Sequence, residues 1–222
     1  MNLNTKQTLF FLVLLFPFVL SAQAIGDLAK NDKTHKVISF SLGTFKPIAF
    51  GDSFINDNTE SNFGVEFNAQ FNIIKKGYVG VRLNGFGLDV TEANGQRLYD
   101  RSTVSSISIL LGYRFLEQEK YAVTTLGGIG RVNYSNKVNG KRFNDNGTSY
   151  WFQLEGEFSV SRYFQIYGGP ELRLDRLNIA SADAINSRVN NINYLMLHLG
   201  MRVSLWNNED TNKEKEDKDE EN

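Results

Sequence analysis

Two histidines and a set of strand-borne glutamates and arginines are the residues of this sequence best placed to support chemistry. Acyl transfer or ester hydrolysis needs a nucleophile with a base in reach, most often serine with histidine. His35 lies ahead of the first patterned segment and reads as a solvated residue. His198 falls mid-segment on a polar row, where it reads as part of an internal hydrogen-bond network. The residue two positions on is Gly200, so no serine shares its face at strand spacing. Glu155 and Glu157 do share a face, a spacing that could serve a hard cation or an acid/base pair. Pairing with arginine explains them more simply. The glycines at 126–130 follow no phosphate-loop spacing and precede no helix. Cysteine is absent, which excludes disulfides and thiolate metal sites. No catalytic, metal or cofactor site is assigned.

The elements that carry these residues alternate with period two. From 63 to 73, Phe63, Val65, Phe67, Ala69, Phe71 and Ile73 fall on one face, and Gly64, Glu66, Asn68, Gln70 and Asn72 on the other. Eight such segments are expected, at 36–45, 63–73, 78–88, 104–115, 121–134, 150–160, 164–174 and 193–206. The fifth is blurred by Gly127, Gly128 and Gly130 and is expected to bulge or bend there. Connections alternate strictly between long polar ones (46–62, 89–103, 135–149, 175–192) and short ones (74–77, 116–120, 161–163). That is an up-and-down meander with both chain ends on the short-turn side. The fold class expected is all-β, an eight-stranded antiparallel up-and-down transmembrane β-barrel.

The ends of the chain are read separately. Lys6, the apolar run 9–20 and Ala22-Gln23-Ala24 have the order of an export signal, expected to be cleaved within 1–24. Residues 25–35 form a polar lead-in, and 36–206 form the barrel. The segment 207–222 holds eight acids and three lysines and no apolar residue, so it is expected to stay disordered. Acids and bases nearly balance over the whole chain, at 25 against 24, which argues against a nucleic-acid surface.

Alternation alone does not say which face is inside. About five large apolar residues per strand would overfill an eight-stranded lumen. The polar rows mix small residues with Glu66, Arg82, Arg114, Glu155, Glu157, Glu171, Arg173 and Arg202, four acids against four arginines. Turned inward, those charges must pair, and arginine's fork suits a carboxylate partner. Aromatics gather at the strand ends: Tyr78, Tyr113, Phe115, Tyr121, Tyr163, Phe164 and Trp206 by the short turns, with Phe45, Phe63, Tyr134, Tyr150, Trp151 and Tyr194 by the long loops. Two belts of this kind match the two lipid–water interfaces. The apolar rows are therefore expected to face lipid.

From 36 to 206 the chain resembles the small bacterial outer-membrane β-barrel family, the OmpA/OmpX-like group with an outer membrane protein β-barrel domain. The resemblance is one of architecture and pattern. It implies a Gram-negative outer-membrane location, contact with outer-membrane lipids, and both termini in the periplasm. It further implies recognition by the barrel-assembly machinery through a terminal aromatic, here Leu205 and Trp206, although a charged tail follows them. A plugged lumen leaves a structural or surface-interaction role through four extracellular loops, with an extracellular ligand as partner. The alternatives are a lipid-modifying outer-membrane enzyme, whose lipid A deacylase form carries a His-x-Ser pattern absent at His198, and a narrow solute channel.

Overall fold

A strand with one apolar and one polar face can satisfy both by joining a closed ring, where every backbone group is paired and no edge is left. The computed structural model describes residues 36–74, 76–90, 101–138, 140–179 and 183–206. The expected signal (1–24), lead-in (25–35) and charged tail (207–222) lie outside the described residues, as does most of the 89–103 connection. The strands are β1 (Lys36–Phe50), β2 (Thr59–Ser61), β3 (Gly64–Ile74), β4 (Gly77–Val90) and β5 (Arg101–Glu117), then β6 (Tyr121–Val138), β7 (Lys141–Ser159), β8 (Phe164–Leu177) and β9 (Asn191–Trp206). Two short helices, α1 (Phe54–Asn58) and α2 (Asp183–Asn190), lie in the first and last long connections.

Eight long strands pair antiparallel around the ring, and β1 and β9 close it from Lys36↔Trp206 to Phe50↔Asn193. The three-residue β2 is an addition that pairs with the far end of β4, beyond the reach of β3. Among the described residues three register shifts occur, in β1 between Lys36 and Ile38, in β3 between Asn72 and Ile74, and in β5 between Arg114 and Leu116. All three sit on the short-turn rim, where bulges let a barrel end its pairing. The bulge expected at the β6 glycines is not there; pairing with β7 runs unbroken from Tyr121 to Val138. A Cβ on Gly128 would lie 2.4 Å from the Trp151 ring, so this glycine makes room for an indole.

The strands also run further than the apolar pattern. The expected loop at 135–149 is mostly hairpin, β6 and β7 pairing out to Val138↔Lys141 around a turn with Gly140 at φ 80°. Its asparagines and serines read as loop, yet in water a strand needs no apolar row. Lys46–Phe50 pair with β9 alone, because β1–β3 pairing ends at Phe45↔Gly64. Pro47, which has no N–H to give, sits in that one-sided stretch. Ser53 caps α1, accepting from the Asn56 N–H at 3.2 Å.

The apolar rows point outward. Leu42, Val65, Ile109 and Leu111 are each more than 60% exposed, and Phe40, Phe67, Ile107, Phe152, Leu197, Leu199 and Met201 extend the surface around the ring. An apolar surface of this extent on a water-soluble monomer would be prohibitive. It is the surface of a barrel embedded in hydrocarbon, crossing with strands; no described helix is long and apolar enough to cross. On the short-turn rim Tyr113, Phe115, Tyr121 and Tyr163 face outward as expected, but Tyr78 points inward. At the long-loop end Phe63 and Tyr150 face outward, whereas Phe45, Tyr134, Trp151 and Tyr194 are buried in the lumen. Strand parity decides this. Trp151 shares a face with Gln153 and Glu155, and its position near a strand end does not override that.

Candidate functional site: a filled lumen

Each strand contributes its polar row to the lumen. All eight charged residues expected there lie in it: Glu66 on β3, Arg82 on β4, Arg114 on β5, Glu155 and Glu157 on β7, Glu171 and Arg173 on β8, and Arg202 on β9. None exceeds 7% exposure, so partners in reach decide what each does.

Toward the short-turn end, Arg202 donates to Glu157 at 2.7 Å, Glu155 at 2.9 Å and Ser41 Oγ at 2.9 Å. Its guanidinium lies 4.8 Å from the Tyr167 ring centroid. Arg114 donates to Glu117 at 2.9 Å and reaches Glu157 at 3.6 Å. Ser39, Ser204 and Gln165 form a neutral layer beside them, at 2.9 and 2.8 Å.

The middle of the lumen is held by Arg82, which donates to Glu171, to Gln153 and, through Nε, to Asn68 at 3.0 Å. Its guanidinium lies 3.7 Å from the Trp151 ring centroid, a cation–π contact that complements the in-plane hydrogen bonds. Glu66 lies 3.6 Å from Arg82 and accepts from the Tyr167 hydroxyl at 2.8 Å. His198 stands between two carboxylates, Nδ1 at 3.2 Å from Glu66 and Nε2 at 3.4 Å from Glu171. Phe45 stacks on the imidazole with centroids 5.1 Å apart.

Toward the long loops Arg173 donates to Asp175 at 2.8 Å and Asn84 at 3.1 Å, and Asp175 also accepts from Tyr134 at 2.7 Å. Tyr194 shares a hydrogen bond with Tyr134 at 3.1 Å. Around Tyr134 and Tyr194 packs an apolar plug that includes Phe45, Phe86, Leu88, Val104, Val132 and Met196, with Ile55 of α1 and Ile179 packed on it. Over the plug, Arg188 of α2 bridges to Asp57 at 2.6 Å and Asp52 at 2.9 Å, tying the first long connection to the last.

The sequence reading missed Asp175, which it placed at the start of a loop. Its signal was present: Glu171, Arg173 and Asp175 continue one alternation. With Asp175, five acids and four arginines are buried in the lumen among the described residues, and His198 touches two of those acids. A histidine–carboxylate pair is chemically able to move protons, but His198 is 5% exposed and Phe45 of the apolar plug is stacked on it. Among the described residues, no group of three or more His, Asp or Glu is placed to hold a metal ion.

Known structures resemble the fold. Neisserial surface protein A superposes with a TM-score of 0.57 at 13% identity, over 78% of this chain and 100% of that one. The fold is that of a small outer-membrane barrel. The N-terminal β-barrel domain of Pseudomonas aeruginosa OprF matches at 0.48 and 8% identity, over 77% of this chain and 100% of that domain. Ail, the attachment invasion locus protein of Yersinia pestis, matches at 0.44 and 12%, over 77% and 100%. No family model and no curated protein matches the sequence.

Proposed function

We propose that this chain is an outer-membrane β-barrel of a Gram-negative bacterium that serves as a closed scaffold for a surface-exposed interaction face. One observation carries the reading: buried side chains fill the lumen, its arginines ion-paired with its carboxylates, and an apolar plug caps it, while the outer wall is apolar. A wall of that kind places the barrel in a bilayer. A lumen of that kind passes no solute and admits no substrate, which leaves the loop end as the working part.

The orientation that follows puts the long connections outside and both chain ends in the periplasm, with outer-membrane lipids around the wall. Leu205 and Trp206 close β9 against β1 at the periplasmic rim and are the candidate signal for the barrel-assembly machinery. A paired lumen supports a structural role as well, since a charge-filled barrel resists collapse of the wall.

Semi-native gel mobility tests the core of this. Unheated membrane fractions should show a band that shifts on boiling, and purified protein in planar bilayers should give no steady conductance. A soluble periplasmic product without a heat shift, or discrete ohmic steps, would overturn it. Lipid A mass spectrometry on His198→Ala should show acylation identical to the wild type; a changed acylation pattern would assign the barrel an enzymatic role instead.

A further inference from the structure

Across β5, β6 and β7 the register puts Arg101 opposite Lys137, and Lys137 opposite Arg142. All three are exposed and, by strand parity, stand on the outward face. Like charges directly opposite one another across strands destabilise the pairing. Here three stand in consecutive cross-strand positions, with Lys141 beside them at the hairpin turn. None of the four makes an ion pair among the described residues. On the β4 side the row ends at two acids, Asp89, which follows Leu88 opposite Ser102 and accepts from Asn62 at 2.9 Å, and Glu60 paired across from it; Asp145, on the opposite face, accepts from Asn136 at 2.7 Å.

The surface below this row is equally selective. The next two outward rows, Thr103/Ser135/Asn144 and Ser105/Asn133/Asn146, contain only hydroxyls and amides. Only then come Arg131 with Ile107 and Thr148, and below them the apolar wall at Ile109, Ile129 and Tyr150. Such a panel, cations over a carpet of amides and hydroxyls, offers partners to both the charges and the hydroxyls of a sugar chain.

Height decides between lipid and glycan. Eight residues separate Arg101 from Ile109, about 27 Å along a strand. At a strand tilt of ~40° that is roughly 20 Å above the apolar wall. Lipid headgroups occupy only about 5–8 Å on each side of the hydrocarbon. Arg131, one row above the wall, lies at headgroup height; the Arg101 row stands well beyond it.

We propose that the outward face of the β5–β6–β7 panel binds a polyanionic glycan, with Arg101, Lys137 and Arg142 contacting successive phosphate or sulfate groups. The inference rests on the surface-interaction reading above and names its ligand class. Neighbouring strands lie ~4.8 Å apart, so the row presents three cations over about 10 Å. An extended sugar chain carrying an anion on each residue can contact all three. The two guanidinium groups meet each anion as a planar fork and the lysine as a point charge. Bound anions would also remove the like-charge repulsion that the empty row carries.

The test uses the full chain in nanodiscs of uncharged phosphatidylcholine, with dextran sulfate as probe and neutral dextran as control. Dextran sulfate should bind with an affinity that falls steeply with salt, and neutral dextran should not bind. The variant R101Q/K137Q/R142Q should lose at least tenfold in affinity, and its log–log salt slope should flatten by about two units, near 0.7–0.9 per lost contact. R142Q alone should lose about threefold, which keeps the test informative if the triple variant folds poorly. K76Q/K120Q, at the opposite rim, and R131Q should bind as the wild type. Unchanged binding by the triple variant, or an equal loss in K76Q/K120Q, overturns the proposal. Binding only to discs containing anionic lipid overturns it too and assigns the row to the bilayer. A missing heat shift in the wild-type protein would instead be the failure of the barrel reading, scored separately.

Discussion

Arg202 shows what a fully buried charge demands of its neighbours. It holds Glu155 and Glu157 together, and neither carboxylate has water to turn to. Arg202→Met should therefore cost about 3–5 kcal/mol in urea unfolding from detergent micelles, the range for leaving a buried partner uncompensated. Adding Glu155→Gln and Glu157→Gln should restore most of that loss, because a neutral lumen has no charge to orphan. A triple variant no more stable than Arg202→Met would show that the arginine acts through packing on Tyr167 instead. Tyr167 itself has no slack: a Cβ on Gly200 would lie 2.5 Å from its ring and hydroxyl. Gly200→Val should cost ~1–3 kcal/mol by overpacking and should break the Tyr167–Glu66 hydrogen bond.

Among the elements, the β6–β7 hairpin separates what a sequence displays from what it conceals. Within the bilayer each strand must show hydrocarbon an unbroken apolar row, so Phe63 to Ile73 announces itself. Beyond the bilayer that requirement lapses, and residues 135–149 pair as strands while composed like a loop. The same lapse hid the Asp175 end of β8. Facing was legible from the apolar volume and the charges. The inward aromatics Phe45, Tyr134 and Tyr194 were misplaced because position along a strand was weighed above parity. What no single strand could display is the partnering: His198 meets Glu66 from β3 and Glu171 from β8, a match set by stagger around the ring. The hairpin's outer part should also be separable from the barrel. Replacing residues 136–143 by Asn-Gly, a two-residue hairpin turn that keeps Ser135 opposite Asn144, should leave the heat shift intact and move thermal unfolding by only a few degrees. A collapse of the folded band would mean the extension is needed to hold the apolar plug.

For the molecule as a whole, closure is the organising fact. Every wall strand has two neighbours, so the backbone leaves no edge to lipid, and the same ring fixes the diameter that the lumen's side chains must fill. Large aromatics lie across glycines at four places: Phe45 over Gly64, Tyr78 over Gly112, Trp151 over Gly128, and Tyr167 over Gly200. Exchanging ring for space in this way lets so narrow a barrel take in bulky groups without splaying the wall.

The β1–β9 seam carries one more consequence. Lys36 and Trp206 are paired neighbours in the ring, so the β1–β9 seam is paired like any hairpin of the wall. A circular permutant that joins 206 to 36 by a short linker and opens between Asn139 and Gly140 should refold in detergent to the same heat-modifiable ring. The natural order does impose a schedule, however. The ring cannot shut until its final strand pairs with its first, so any sheet that lacks β9 has two unpaired margins. Those margins need shelter until β9 arrives, because an unpaired strand edge is a template for wrong partners.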